Sequence, residues 1–186
     1  MIYFDDHIWD FDLHQALDSI SGWRRDYALR YRRELDQRLC VAAYKLLQQA
    51  LQTEYGITQQ PRFIYNDRGK PSLEGYPEIH FSLSHCSQAV ACAVSNLPVG
   101  IDVESTDQYS DELARQVMNY SEMRLINSSP SPAVAFTRLW TMKESLYKLR
   151  GVSLAVGIPN MLDHVQGYRF TTIIHSDCII TSCSMT

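Results

Sequence analysis

The chain has 186 residues, of which 45% are apolar and 20% charged, and its formal net charge is −4. That length buries a real core, as one domain or as two small ones packed together, and the composition is that of a soluble globular protein. The negative balance argues against any general affinity for nucleic acid or an anionic membrane, so a site for a polyanion has to be built locally. The opening Met1-Ile2-Tyr3-Phe4-Asp5-Asp6 lacks the charged and apolar regions of a signal peptide, and no apolar run approaches membrane-spanning length. Cys40, Cys86, Cys92, Cys178 and Cys183 are odd in number and show no CxxC spacing, which reads as reduced thiols in a cytoplasmic protein, with no obvious zinc ligand set.

In chain order, Met1 to Phe4 predicts a short strand and Asp10 to Ile20 a short helix. From Trp23 the sequence turns helical and basic, with Arg24, Arg25, Arg30, Arg32, Arg33 and Arg38 in quick succession. Interleaved with Asp26, Glu34 and Asp36, these arginines form either a solvated face or a phosphate contact, since guanidinium forks suit phosphate oxygens. Leu35, Leu39, Ala43, Leu46, Leu47, Ala50 and Leu51 recur at three- and four-residue steps, a long amphipathic helix that stops near Gly56. Pro61 to Tyr65 predicts a strand, followed by the turn Asn66-Asp67-Arg68-Gly69-Lys70-Pro71, where Pro71 holds Lys70 in an extended backbone. His80 to His85 alternates with Phe81 and Leu83 inward, Ala89 to Ser95 is a small-residue strand, and Asn96-Leu97-Pro98 turns the chain into Val99-Gly100-Ile101-Asp102-Val103-Glu104. These strands are expected to form a meander that brings Ser84 and His85 near the carboxylates Asp102 and Glu104. Asp107 to Asn127 predicts two short helices with Glu122 in the second, and Pro130 to Gly151 one long helix with Ser131 or a neighbour as cap, Pro132 in its first turn and Gly151 as stop. Val152 to Asp163 is expected to be irregular. Tyr168 to His175 and Cys178 to Ser182 close the chain as a hairpin about Asp177, and Ser105 to Tyr109 is the natural hinge between halves.

Two stretches carry chemistry. On a strand, Asp102 and Glu104 share one face, about 7 Å apart, while Ile101 and Val103 turn to the other. The pair is either the solvent face of an ordinary strand end or a seat for a hard cation such as Mg2+, which takes oxygen ligands and keeps waters for a phosphate to replace. On the long helix, Ala135, Phe136, Leu139, Met142, Leu146 and Leu149 are expected to form the buried stripe, with Thr137, Glu144 and Lys148 on a flank bordered by Trp140. Glu144 and Lys148 either support the helix as an i, i+4 pair or serve as a third oxygen ligand and a phosphate contact. Lys143 projects close to the apolar stripe, which a purely structural helix would avoid unless the stem snorkels.

Gly69-Lys70-Pro71, Phe81-Ser82-Leu83-Ser84-His85, Val99 to Glu104, and Leu139-Trp140-Thr141-Met142-Lys143-Glu144-Ser145-Leu146-Tyr147-Lys148, in this order and spacing, resemble the 4′-phosphopantetheinyl transferases of the larger, surfactin-synthetase-activating type. The resemblance runs from about Arg24 to Gly151. It implies an α+β fold of two similar subdomains, residues 1–105 and 106–186, in a pseudo-twofold arrangement of antiparallel sheets packed with helices, with coenzyme A and Mg2+ in the cleft between them. It implies transfer of 4′-phosphopantetheine from coenzyme A to a serine of an acyl, peptidyl or aryl carrier protein, releasing adenosine 3′,5′-bisphosphate. By resemblance, Asp102, Glu104 and Glu144 match the Mg2+ ligands, Lys148 the diphosphate contact, Lys70 and Pro71 the loop beside the adenine, and Ser84 and His85 the phosphate contacts. Glu122 matches an acidic residue proposed to help deprotonate the serine. Lysines common in this type are not matched at Trp23 and Asp26, so the 3′-phosphate is expected to rest on Arg24, Arg25 or Arg38. A monomer is expected, because one chain carries both halves. The alternatives are another Mg2+-dependent phosphoester enzyme using the same carboxylates, and a non-catalytic carrier-binding homologue.

Overall fold

A computed structural model describes residues 1–67, 69–151 and 157–186. Arg68 of the predicted turn, and residues 152–156 of the stretch expected to be irregular, lie outside the described residues. The first half opens with strand β1 (Ile2–Asp5), followed by helices α1 (Leu13–Asp18), α2 (Gly22–Ala28) and α3 (Glu34–Tyr55). Asp12 caps α1 by accepting from Gln15 N, and Gly56 ends α3 in the left-handed conformation with φ +67°, which glycine adopts without a Cβ penalty. A small hairpin of β2 (Phe63–Tyr65) and β3 (Pro71–Leu73) precedes β4 (His80–His85) and β5 (Val90–Ser95). The second half runs β6 (Val99–Ser105), α4 (Asp111–Val117), α5 (Tyr120–Ser128), α6 (Pro132–Arg150), β7 (Tyr168–His175) and β8 (Cys178–Met185).

These elements make an α+β fold of antiparallel sheets packed with helices. The two three-stranded sheets have the orders β1-β5-β4 and β6-β8-β7. Each is built the same way, as a strand, then a long helix, then a hairpin whose second strand inserts between the first strand and its own partner. The predicted meander therefore breaks at its third member. The hairpin β4–β5 forms as expected, but β6 pairs with β8 in the other sheet, with Asp102 opposite Thr181. The chain crosses between sheets in the turn at 96–98.

Alternation along the strands sets the layers. On β5, Val90, Cys92 and Val94 pack with Leu39, Ala43, Leu46, Leu47 and Ala50 of α3, while Ala89, Ala91 and Ala93 meet Val99, Ile101 and Val103 of β6 and Ile180 of β8. Small alanines let the two sheets come close. The exposed edges of β4 and β6 also meet there, and Ile101 N donates to Ser82 Oγ at 3.1 Å, which satisfies a buried edge N–H.

The other face of β6 carries Gly100, Asp102 and Glu104 and receives α6. A Cβ at Gly100 would lie 1.9 Å from Ser145 O and 2.6 Å from Leu149 N, so glycine alone lets this helix backbone approach the strand. Helix α6 starts at Pro132 and stops at Gly151 in the left-handed conformation, as its sequence predicts. Its packing differs from the predicted single apolar stripe: Leu139 and Met142 are only half-buried, whereas Thr137, Thr141, Lys143 and Ser145 are buried. The reason is the polar surroundings. Thr141 Oγ1 meets Thr181 Oγ1 at 2.8 Å and Ser145 Oγ donates to Met142 O, so these two hydroxyls have partners inside the protein, whereas Thr137 Oγ1 has none among the described residues.

Gly100→Ala is expected to force strand and helix apart and to cost about 3 kcal/mol. A lower urea midpoint at unchanged slope is the predicted reading; a variant as stable as the parent would contradict the close approach.

Candidate active site

Three elements converge beside Gly100. Lys148 of α6 donates from Nζ to Asp102 Oδ1 of β6 at 2.7 Å and to Ser84 Oγ of β4 at 2.7 Å, and Ser84 Oγ donates to Asp102 Oδ1 at 2.8 Å. Asp102 is 2% exposed, whereas the Lys148 side chain keeps 28% of its surface, so the ion pair is closed on the carboxylate side and open on the ammonium side. A buried charge is tolerable only when paired and hydrogen-bonded. Asp102 meets that condition at Oδ1, while Oδ2 is buried and has no partner among the described residues.

Glu104 and Glu144 stand in the field of this pair. Burial, then the charge of Asp102, push the Glu104 carboxyl up to about 7, with Glu144 adding to the rise; Lys148 and a hydrogen bond from the Trp140 indole oppose it. Burial and Asp102 likewise raise Glu144, and Lys148 opposes. Each carboxylate is thus disfavoured by the others. Among the described residues no three metal-ligating side chains are drawn together into a ready cage, and Lys148 takes one Asp102 oxygen. The donor chemistry nevertheless fits a hard divalent cation: oxygen ligands only, one buried carboxylate oxygen without a partner, and mutual repulsion that a cation would relieve.

Lys70 and His85 flank this centre. Lys70 Nζ donates to Leu149 O at 2.8 Å at the C-terminal end of α6, where a cation also suits the helix dipole, and burial lowers its pKa. The lysine of the predicted turn is therefore half-buried and joins the first half to α6. Pro71 is the first residue of β3, opposite Tyr65. His85 reaches solvent at the end of β4, yet enough protein packs round its ring that burial, then the charge of Lys148, hold its imidazole below the usual range. The charge of Arg24 acts on His85 in the same direction.

The three arginines have separate places. Arg24 is buried with its guanidinium 4.9 Å from the Tyr27 ring centre and 5.5 Å from that of Tyr44, and it donates to Cys40 O. Arg38 donates to Phe11 O at 2.7 Å and pairs with Glu34, stacked over Trp9. Arg24 ties α2 to α3, and Arg38 ties α3 to the segment before α1. Arg25 makes an exposed contact of 3.5 Å with Asp18.

Glu122 sits in the first turn of α5, where it closes a capping box with Asn119. Its Oε2 also accepts from Lys143 Nζ at 2.7 Å. Lys143 is 1% exposed and donates as well to Val117 O, Ile158 O and Pro159 O, so one ammonium gathers the end of α4, the start of α5 and the 158–160 turn around α6. This explains a lysine close to an apolar stripe: its charge is fully enclosed by acceptors. The sequence also gave no warning of Ser82, Gly100 or Thr141, although the alternation of Ser82 with Ser84 was the available sign that both hydroxyls share a face.

A family model described as the 4′-phosphopantetheinyl transferase superfamily matches residues 98–177, the run from β6 to the tip of the last hairpin. The chain is 28% identical over 159 residues to the 4′-phosphopantetheinyl transferase Sfp of Bacillus subtilis, covering 83% of this chain and 70% of that protein. It is 30% identical over 149 residues to psf-1 of Bacillus pumilus, covering 78% and 64%, and 37% identical over 98 residues to gsp of Aneurinibacillus migulanus, covering 52% and 40%. The chain is similar to the 4′-phosphopantetheinyl transferases, and residues 98–177 match the model of that superfamily. The chain resembles transferases of the Sfp type, and its matched span is about two thirds of the length of Sfp and psf-1. The superfamily match contains Asp102, Glu104, Glu122, Glu144 and Lys148, whereas Ser84, His85 and Lys70 come from the half before it.

Lys143→Met is expected to cost about 3–5 kcal/mol, because it leaves a carboxylate and three carbonyls enclosed without their donor. Glu122→Gln, which keeps an acceptor in place, costs less. Urea denaturation ranks the two; equal stability of Lys143→Met and the parent would remove the hub.

Proposed function

We propose that this chain transfers 4′-phosphopantetheine from coenzyme A to a serine hydroxyl of an acyl, peptidyl or aryl carrier protein, with Mg2+, releasing adenosine 3′,5′-bisphosphate. The observation that carries the reading is the convergence of Ser84, Asp102 and Lys148 from three elements of the two halves, within a superfamily match. Lys148 sits with its ammonium partly open, placed to receive a diphosphate oxygen and to stabilise the charge that grows on the leaving nucleotide. Ser84 shares that ammonium and orients it, and His85, neutral at pH 7, offers one ring N–H to a phosphate oxygen. Asp102, Glu104 and Glu144 would hold the Mg2+, which supplies charge neutralisation at the diphosphate. The carrier's serine is a poor nucleophile at neutral pH, and its proton passes to a carboxylate or to water at this site. In-line positioning by Lys148, Ser84 and the carboxylates accounts for the rest, and no covalent enzyme intermediate is needed.

Glu122 is proposed as the anchor of Lys143, which shares its Oε2 with Asn119 N–H, while its Oε1, without a partner among the described residues, keeps the capacity to accept the serine proton. Lys70 and Pro71 are proposed to border the adenine end. Among Arg24, Arg25 and Arg38, the 3′-phosphate falls most readily to Arg25, whose partner Asp18 is exposed. The chain is proposed to act as a cytoplasmic monomer; among the described residues, no helix is long and apolar enough to cross a membrane.

Incubation with coenzyme A, Mg2+ and a panel of unmodified carrier proteins is expected to add one phosphopantetheine mass to a carrier. Asp102→Asn and Glu144→Gln should each slow transfer by about 100-fold or more, Glu144→Gln while melting close to the parent and Asp102→Asn with a lower melting temperature from the broken ion pair. Lys148→Ala should slow the chemical step by a similar factor. Unmodified carriers across the panel, or full turnover by either carboxylate variant, would overturn the reading, and hydrolysis of coenzyme A without carrier modification would favour a phosphoester hydrolase.

A further inference from the structure

Where the two sheets meet, Cys86 Sγ and Cys178 Sγ lie in contact at 3.7 Å as free thiols. We infer that the pair is an oxidation site: a hydroperoxide closes it into a disulfide that fastens the two sheets together, and a reducing dithiol reopens it. The inference is independent of the transfer reading. Cys86 follows β4 in the turn to β5, where its N–H donates to Ala89 O, and Cys178 opens β8 opposite Ser105 of β6. The two are 92 residues apart in the chain. They share one apolar cluster, whereas Cys92, Cys40 and Cys183 lie one each in three others. Cysteine packs in many cores as a small apolar side chain, but this pair is also oriented. Cys178 Sγ donates to Gln88 Oε1 at 3.3 Å, and Gln88 Nε2 reaches on to Asp107 Oδ2 at 3.3 Å. Nearby, His175 Nε2 meets Asp6 Oδ2 at 3.0 Å. Exposed polar contacts of this kind hold the halves only weakly against water, whereas the buried sulfurs beside them can hold the halves covalently.

The order of events follows from exposure and charge. Burial, then the neighbouring Cys86, push the Cys178 thiol up to about 12, so it stays protonated at neutral pH. Cys86 is the more exposed of the two, 9% against 5%, and meets the oxidant first. Its sulfur attacks one oxygen of hydrogen peroxide, the O–O bond breaks, and a sulfenic acid and one water form. The Cys178 sulfur then attacks the Cys86 sulfur, the S–O bond breaks, and the hydroxyl leaves with the Cys178 proton as a second water. Two thiols thus lose two electrons and two protons, and one peroxide becomes two waters. The sulfurs must close to about 2.0 Å. Both cysteines border turns, β4 to β5 and β7 to β8, where side-chain rotation and a small backbone shift are easiest. The bridge ties the end of β4 to β8, two residues beyond the Ser84 hydroxyl that reaches Lys148 and Asp102. It therefore fixes the first half against the second next to the site, chiefly by restricting the unfolded chain.

The test is to treat the folded full chain with hydrogen peroxide, denature it in N-ethylmaleimide, and take the mass of the whole chain and of its digest. Of five free thiols a bridge consumes two, so the expected product carries three maleimides and yields one linked peptide pair, Cys86 with Cys178. Dithiothreitol before denaturation should restore all five. The oxidised chain should melt about 5 °C or more above the reduced one. Cys178→Ser and Cys86→Ser should each abolish both the linked pair and the rise in melting temperature. Should one variant fail to fold the other decides, and the peptide map of the parent needs neither. Full maleimide labelling after peroxide overturns the inference, as does sulfinic acid on Cys86 with Cys178 still free. A linked pair that involves Cys40, Cys92 or Cys183 overturns it too, and so does a Cys86–Cys178 bridge that leaves the melting temperature unchanged or lowered.

Discussion

The structure depends on one buried ion pair, Lys148 with Asp102, shared with the Ser84 hydroxyl. Removing a carboxylate from water is expensive, and the cost is met only where the partners are close and correctly placed. Here the placement comes from backbone rather than side chains. The absent Cβ at Gly100 lets α6 descend onto β6, and the same strand face that carries the glycine carries Asp102 and Glu104. Strand alternation and a single glycine together bring two carboxylates of a sheet within reach of a helix flank. Ser84 then closes the arrangement from the other sheet, so the pair also fastens the two halves where the edges of β4 and β6 meet.

The two lysines of α6 show how burial separates structure from chemistry. Lys143 and Lys148 are five residues apart, so they point in different directions on the helix. Lys143 is enclosed with four acceptors, all supplied by the protein, and its ammonium has no capacity left for a ligand. Lys148 has two partners and an open side. An ammonium carries three donors, and the one that remains faces outward. The acids differ in another way: Glu122 and Asp102 each leave one buried oxygen without a partner among the described residues, but Glu122 is held by a capping box and the enclosed Lys143, whereas Asp102 pairs with the open Lys148 and stands beside Glu104 and Glu144, which burial and Asp102 raise.

Elements whose boundaries rest on local chemistry were legible in the sequence. Pro132 and Gly151 delimit α6, Gly56 stops α3, and alternation from His80 to His85 describes β4 with Ser82 and Ser84 on one face. What depends on tertiary pairing was not legible. Nothing local tells β6 to leave β5 for β8, because the turn at 96–98 permits either course. The apolar stripe of α6 misled for a related reason: periodicity counts apolar side chains, while this helix buries hydroxyls and a lysine against partners from β8, α5 and the 158–160 turn. The arginines are the sharpest case. A run of Arg24, Arg25 and Arg38 reads as a phosphate patch until the aromatic rings of Trp9, Tyr27 and Tyr44 are seen to hold two of them in place.

The repeated strand, helix and hairpin plan explains why the chemistry sits in one half yet needs both. In the first half, α3 lies on β5 through Leu39, Ala43, Leu46, Leu47 and Ala50, an apolar contact with no chemical capacity. In the second, the equivalent helix lies on β6 and β8 through Thr141, Ser145 and Lys148, and the polar groups that replace leucine need partners. Some of those partners cannot come from the same half. Lys148 takes Ser84 from β4, and Leu149 O at the end of α6 takes Lys70 from the turn before β3. The superfamily match begins at residue 98, after both. The second half thus holds the acids and the lysine, and the first half positions them: without β4 the ammonium loses an oriented partner, and without Lys70 the end of α6 that carries Lys148 loses a cation bonded to its last carbonyls. A half with the same topology but an apolar core serves as the rigid frame against which a polar, marginally satisfied site can be held.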